Sequence, residues 1–256
     1  MKNLFSLKGK VAIVTGGNGG IGLGLARGFG GVGGEIVIAA RNKDKTTKAA
    51  EELKNDFGIR VLEVELDVRQ ESQINAMASK VLDTFGRIDV LVNNAGISIA
   101  KLPQDLAAGD YDEVLATNLR AAFLCCKAVY PAMKNAGGGK IINIGSMTSI
   151  FGGAKLLPYG TSKGGIVAMT RALAVAWAPD NIQVNAILPG WIDTDLTRRG
   201  RVELEGLNER VLARTPVGRW GEPKELQGTA IYLASAASNF VTGVALPVDG
   251  GYSINL

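Results

Sequence analysis

The chain contains no histidine, and its only two cysteines, Cys125 and Cys126, stand side by side in an apolar run. A Ser-His-Asp triad and an HExxH zinc site both need histidine, and neither a disulfide framework nor a four-ligand metal centre can be built from one adjacent cysteine pair. No metal site is expected, the cysteines read as small core residues, and acid/base work near neutral pH must fall to another residue type. Long hydrophobic runs are also missing. No stretch reaches the roughly 18 uninterrupted apolar residues of a membrane helix, and Met1 to Lys10 lacks the apolar segment of a signal peptide, so a cytoplasmic protein with no membrane partner is expected. Charge is not segregated either. The net charge is +4, but Lys and Arg alternate with Asp and Glu along most of the chain, so nucleic acid is not an expected partner.

What is present is an alternation. Apolar runs recur at Val11–Val14, Ile36–Ile38, Val61–Leu66, Val90–Val92, Ile141–Ile144, Val184–Leu188 and Val244–Val248. Between them lie segments such as Thr46–Phe57, Glu71–Phe85 and Tyr111–Met133, whose apolar positions recur at helical spacing. Near-continuous apolar strands are buried on both faces, and strand-helix repetition implies parallel crossovers. The expected fold is therefore α/β, a single-domain doubly wound Rossmann arrangement over residues 1–256, with seven parallel strands and helices on both faces. Gly28, Gly30, Gly31, Gly33 and Gly34 make the exit of the first helix glycine-rich, which reads as a weak, mobile helix end.

The first strand runs into Thr15-Gly16-Gly17-Asn18-Gly19-Gly20-Ile21-Gly22. Glycines here let backbone approach a pyrophosphate, while the following helix start offers unpaired N–H groups and a positive dipole end. Gly16, Asn18, Gly20, Ile21 and Gly22 are thus candidate cofactor contacts. At the end of the second strand, where NAD enzymes carry a carboxylate for the ribose 2′-hydroxyl, this chain has Ala40 followed by Arg41. An arginine there can fork around a 2′-phosphate, so NADP is the expected cofactor, with NAD the alternative if Arg41 is only a solvated first-turn residue.

Ser146 follows the fifth strand, and Tyr159 and Lys163 open the next helix four residues apart, on one face. A tyrosine needs its pKa of about 10 lowered by about 3 units, or about 4 kcal/mol, to work near pH 7. One ammonium about 4 Å away at an effective dielectric of 20 supplies about that much. Gly145-Ser146-Met147 is not a GxSxG elbow, and without histidine a serine hydrolase is excluded.

Taken together, Thr15-Gly16-xxx-Gly20-x-Gly22, Asn93-Asn94-Ala95-Gly96, Asn118, Ser146, Tyr159-xxx-Lys163 and Pro189-Gly190 resemble the short-chain dehydrogenase/reductase family over nearly the entire chain. The resemblance implies an oxidoreductase that interconverts a secondary alcohol and a ketone. Tyr159 would exchange the proton, Ser146 would hydrogen-bond the substrate oxygen, Lys163 would hold the nicotinamide ribose, and Asn118 would hold a relay water. It further implies cofactor contacts from Asp67 and Val68, from Asn94, Ala95 and Gly96, and from Pro189, Gly190, Ile192 and Thr194. Asp67 as a helix cap and Pro189-Gly190 as a plain turn are the structural alternatives.

Residues 194–215 are the expected substrate lid. They carry Arg198, Arg199, Arg201, Arg210 and Arg214 but also Glu203, Glu205 and Glu209, which reads as a salt-bridged, solvated helix in preference to a basic mouth for an acidic substrate. Segments around Phe5–Ala12, Gly139–Met147 and Arg214–Gly221 are similar to gluconate 5-dehydrogenases and 2-dehydro-3-deoxy-gluconate dehydrogenases, which implies a small-molecule sugar-acid or polyol substrate. The alternatives are a 3-oxoacyl-carrier-protein reductase and a non-catalytic cofactor-binding scaffold. Family members are commonly homotetramers.

Overall fold

In β1 (Val11–Thr15) every residue is buried, with Val11 and Ile13 in one apolar cluster and Ala12 and Val14 in another. β2 (Glu35–Ala40) repeats the division, with Val37 and Ala39 on one face and Ile36 and Ile38 on the other. Strands apolar on both faces need helices on both sides, and the computed structural model, which describes residues 3–255 (backbone only at 196 and 203), has them. Met1, Lys2 and Leu256, the outermost residues of the expected domain, lie outside the described residues.

One face is covered by α3 (Glu71–Phe85), α5 (Ala121–Asn135) and α6 (Leu157–Trp177), which bring Met77, Val81, Cys125, Cys126 and Ala174 onto the sheet. The other is covered by α1 (Gly20–Gly31), α2 (Lys43–Phe57) and α9 (Gln227–Ala234), with Leu25, Phe29, Leu53 and Leu233. β3 (Val61–Glu65), β4 (Val90–Asn93), β5 (Gly139–Ile144), β6 (Ile182–Pro189) and β7 (Ala245–Val248) complete a seven-stranded parallel sheet of order β3-β2-β1-β4-β5-β6-β7. The order reverses between β1 and β4, so the loops leaving these two strands diverge and open a crevice at the carboxyl edge, where α/β sheets take ligands. No helix among the described residues is long and apolar enough to cross a membrane.

Two expectations change. The helix expected over Tyr111–Met133 is α4 (Ala108–Leu115), a π-helical turn at Ala116–Arg120, and then α5. The widened turn contains Asn118, and such turns gather at functional positions. The glycine-rich end of α1 is not a weak helix end. A side chain on Gly28 would stand 2.9 Å from the Gln227 Cβ, and one on Gly30 would stand 2.9 Å from the Phe57 ring. Both glycines are buried, so they let α1 pack closely against α9 and the end of α2.

Candidate active site

At the end of β1, Gly16 takes a left-handed φ of 63° that turns the chain into α1. Asn94, just past β4, reaches across the crevice and donates its amide to the Thr15 and Gly16 carbonyls at 3.0 and 3.1 Å. The Thr15 hydroxyl accepts in return from the Asn94 and Ala95 backbone N–H groups at 3.0 and 3.1 Å. A side chain on Gly22 would run into the Gly16 carbonyl oxygen and the Asn94 amide, so only glycine closes this turn. The start of α1 has no side-chain cap and no acidic residue in its first turn, and a Cβ on Gly19 would meet nothing within 4 Å. Unpaired amides, a positive dipole end and open space together fit a pyrophosphate.

Asn18 has its amide committed within the protein, donating to the Asn42 carbonyl at 3.3 Å and the Thr46 hydroxyl at 3.1 Å. It thereby ties the glycine turn to the start of α2, the segment that follows Arg41. Ile21 is half-buried against the core beneath the turn. Ala40 is buried at the end of β2, whereas Arg41 is exposed and makes no ion pair among the described residues. Asp67 is gripped by Arg69, whose guanidinium donates from Nε at 3.0 Å and from Nη2 at 2.7 Å, holding the carboxyl below its ordinary range. The neighbouring Val68 is buried in the core. Asp67 does not cap α3, whose cap position is Gln70.

The reactive groups meet where β5 and α6 converge. Lys163 is buried and donates to the Ile144 carbonyl at 2.7 Å, with its nitrogen 5.6 Å from the centroid of the Tyr159 ring. One hydrogen bond leaves the ammonium with further protons to offer. The local fold accounts for the placement, because the Ser149 hydroxyl donates to the Lys163 carbonyl at 2.8 Å and pins the Ser146 loop to α6. Burial sets both pKa values. It pulls Lys163 down to about 8 and pushes Tyr159 above its ordinary value, with the Ser146 hydroxyl pulling the phenol back. The net direction for Tyr159 is thus opposite to the lowering expected from its lysine, because desolvation outweighs the hydrogen bond from Ser146.

Asn118 is buried and fully engaged. Its amide donates to the Ile97 carbonyl at 2.9 Å and the Ser162 hydroxyl at 3.0 Å, and its oxygen accepts from the Ile97 N–H at 2.8 Å. A Cβ on Gly96 would stand 3.2 Å from that oxygen, so Gly96 makes room for the contact. Ser162, which the sequence reading passed over between Tyr159 and Lys163, in turn donates to the Tyr159 carbonyl at 2.7 Å.

Pro189 ends β6, and Gly190 lies so close to Asp249 that a Cβ there would be 2.6 Å from its Cα. The side chain of Ile192 is buried in the core, and the Thr194 hydroxyl caps α7 (Asp195–Glu203), so what these two offer toward the crevice is backbone and the Thr194 methyl. That methyl lies 3.4 Å from where a Cβ on Gly20 would stand, which brings the turn after β6 onto the glycine turn. The lid segment continues as α8 (Leu207–Arg214). Two of its arginines are ion-paired, Arg198 with Asp193 at 2.7 Å and Arg201 with Asp193, while Arg210 donates to the Glu205 backbone carbonyl at 3.0 Å. The Glu203 side chain lies outside the described residues.

A glycine turn for a dinucleotide beside a half-buried serine and tyrosine and a buried lysine defines an oxidoreductase site. The family model described as enoyl-(acyl carrier protein) reductase matches residues 16–253, and the chain belongs to this short-chain dehydrogenase/reductase family. It is 40% identical over 249 residues to the 2-dehydro-3-deoxy-D-gluconate 5-dehydrogenase of Escherichia coli (strain K12), covering 97% of each chain. It is 40% identical over 251 residues to the 5-keto-D-gluconate 5-reductase of the same strain, covering 98% of each. The structure of a gluconate 5-dehydrogenase from Burkholderia cenocepacia J2315, in complex with NADP and tartrate, superposes with a TM-score of 0.94 at 37% identity and covers 99% of both chains. The fold and the enzyme class expected from the sequence are those found.

Proposed function

We propose that this chain is an NADP(H)-dependent oxidoreductase that interconverts a sugar-acid hydroxyl and its ketone. The observation that carries the reading is the buried Lys163 held 5.6 Å from the centroid of the half-buried Tyr159 ring, with Ser146 beside them, at the crevice bounded by an uncapped glycine turn. The sugar-acid class is supported by the relatives that act on gluconate derivatives.

Gly16, Gly20 and Gly22 would lay backbone amides along the pyrophosphate, and Arg41 would take the 2′-phosphate. Asp67 and Val68, with Asn94, Ala95 and Gly96, would line the adenosine side, and Pro189, Gly190, Ile192 and Thr194 the nicotinamide side. When bound, the cofactor supplies or accepts the hydride. Tyr159 stays protonated through neutral pH and so is available to donate to a carbonyl oxygen as negative charge develops there, while Ser146 would donate a second hydrogen bond to the same oxygen. Lys163, fixed by Ile144, keeps a positive charge beside the phenol and has donors left for ribose hydroxyls. Asn118, whose side chain is spent on Ile97 and Ser162, would contribute to a proton relay through its backbone carbonyl. Residues 194–215 would close over the substrate.

Initial rates with gluconate-type hydroxy acids and their ketones, run with NADP(H) and NAD(H), test the reading. Turnover of keto-gluconates with NADPH, lost by at least about 10²-fold in Tyr159→Phe, is the expected result. Faster turnover of 3-oxoacyl thioesters would replace it. We further propose a cytoplasmic homotetramer, supported by exposed Phe123 on α5 and Val175 on α6, which light scattering would test.

A further inference from the structure

Arg214 ends α8 against two aromatic rings, whereas Arg201 of the same lid stacks on one, Trp220, and is ion-paired as well. The Arg214 guanidinium carbon lies 4.8 Å above the Phe151 ring and 4.5 Å above the Tyr252 ring. These rings stand at 74° to each other, so the cation occupies the corner between two aromatic faces. Arg214 is half-buried, and its Nε is fully buried with no hydrogen-bond partner. Among the described residues no carboxylate pairs with it, whereas Arg198 and Arg201 both pair with Asp193. Aromatic faces hold a cation by its charge but do not satisfy its planar N–H donors.

The corner is built from the loops that bound the active site. Phe151 belongs to the loop after β5 that carries Ser146, and its N–H donates to the Met147 carbonyl at 2.9 Å. Tyr252 follows β7 and packs edge-on against Trp191, which follows Gly190 after β6. The end of α8 is held there as well, since Asn255 donates to the Arg214 carbonyl at 3.0 Å. An uncompensated guanidinium already held between two rings loses little freedom when it binds, and its fork matches a carboxylate with two parallel hydrogen bonds.

We infer that Arg214 is the specificity residue that receives the carboxylate of the substrate, at the opposite end of the molecule from the carbon undergoing hydride transfer. The inference rests on the sugar-acid reading above and adds to it the residue that distinguishes an acid from a neutral polyol. The same corner would disfavour a long apolar acyl chain, which offers the cation no counter-charge.

The test compares wild type, Arg214→Met and Arg214→Lys. Binding of D-gluconate to the NADP-saturated enzyme is measured by calorimetry, alongside kinetics on 5-keto-D-gluconate and on 5-keto-D-fructose, which keeps a ketone and lacks the carboxylate. Arg214→Met should weaken gluconate binding and raise KM for the keto-acid by roughly 10- to 100-fold, the range of a charge-assisted pair. The preference for the acid over the neutral ketone should fall with it, and Arg214→Lys should lie between, since it keeps the charge without the fork. Unchanged NADPH affinity and melting temperature show that each variant is folded, and the lysine variant carries the test if the methionine variant is not. Equal losses on acid and neutral ketone, or gluconate affinity indifferent to both substitutions, would overturn the inference. Arg214-dependent gluconate binding without keto-gluconate turnover would uphold it while removing the proposed reaction. A wild type that binds neither gluconate nor tartrate would remove it, whatever the enzyme reduces.

Discussion

The Lys163 ammonium donates to the Ile144 carbonyl at 2.7 Å, so the end of β5 and the second turn of α6 are joined through one buried charge. The bond orients the lysine beside the phenol, but it does not offset the desolvation that draws Lys163 down to about 8 and pushes Tyr159 up. Through neutral pH the site therefore holds a protonated tyrosine and a largely charged lysine. Ketone reduction, which consumes the phenol proton, should be level through neutral pH and fall above about pH 8 as Lys163 loses its charge. Alcohol oxidation needs the phenolate and should rise with pH over the same range, approaching about tenfold per pH unit. Parallel profiles of kcat/KM in the two directions would rule out Tyr159 as the shared acid/base.

Gly22 is the tightest point of the glycine turn. Any Cβ there must displace the Gly16 carbonyl or the Asn94 amide, and Asn94 also holds Thr15. Gly22→Ala should thus damage the cradle more than its one methyl suggests. NADPH affinity should fall by about 100-fold or more, with a stability loss of about 1–3 kcal/mol from the disturbed buried hydrogen bonds. Fluorescence titration with NADPH and a thermal melt check both. Wild-type affinity in this variant would show that the turn does not cradle the cofactor.

Arg41 is exposed and makes no ion pair among the described residues, next to the buried Ala40 that leaves no carboxylate at the end of β2. Removing a cation that meets a phosphate costs about 1.5–3 kcal/mol, whereas removing a solvated surface residue costs little. Arg41→Ala should weaken NADPH binding by about 10- to 100-fold and leave NADH binding nearly unchanged. Equal small effects on both cofactors would make Arg41 an ordinary surface residue.

The fold was legible because the central strands are apolar on both faces and most helices carry apolar residues at helical spacing, patterns that depend on neighbours in the chain. The glycine turn and the Tyr159–Lys163 spacing were legible for the same reason. What was not legible depends on contacts between distant segments. The π-helical turn at Ala116–Arg120 exists where the Asn118 side chain bonds Ile97, yet the apolar periodicity runs through it. The glycines of α1 resemble a frayed helix end until Gln227 and Phe57 are placed against them. The upward direction of the Tyr159 pKa follows from the depth of its burial, and the aromatic corner around Arg214 joins residues from three separate parts of the chain.

Lys140 provides a second buried charge, far from the chemistry. It lies on β5 with its ammonium donating to the Asn239 side chain at 3.0 Å and the Ser238 hydroxyl at 3.4 Å, both neutral. Asp89, the carboxylate in this region, is taken by Lys10 and Arg87 instead. Burial, with Lys10 adding to it, brings Lys140 from 10.5 down to about 8. The unfolded chain therefore binds its proton more tightly than the folded one between about pH 8 and 10.5, so stability rises with pH across that window. Below pH 8 the lysine is charged in both states and the full penalty is present. Lys140→Met should stabilise the protein at pH 7 by on the order of 1–3 kcal/mol, after allowance for the two hydrogen bonds it loses. That advantage should shrink toward pH 10.5, where wild type has shed the charge as well. Urea unfolding of both proteins at pH 7, 9 and 10 measures the difference, and an advantage that stayed constant over this range would assign it to packing instead of to the buried charge.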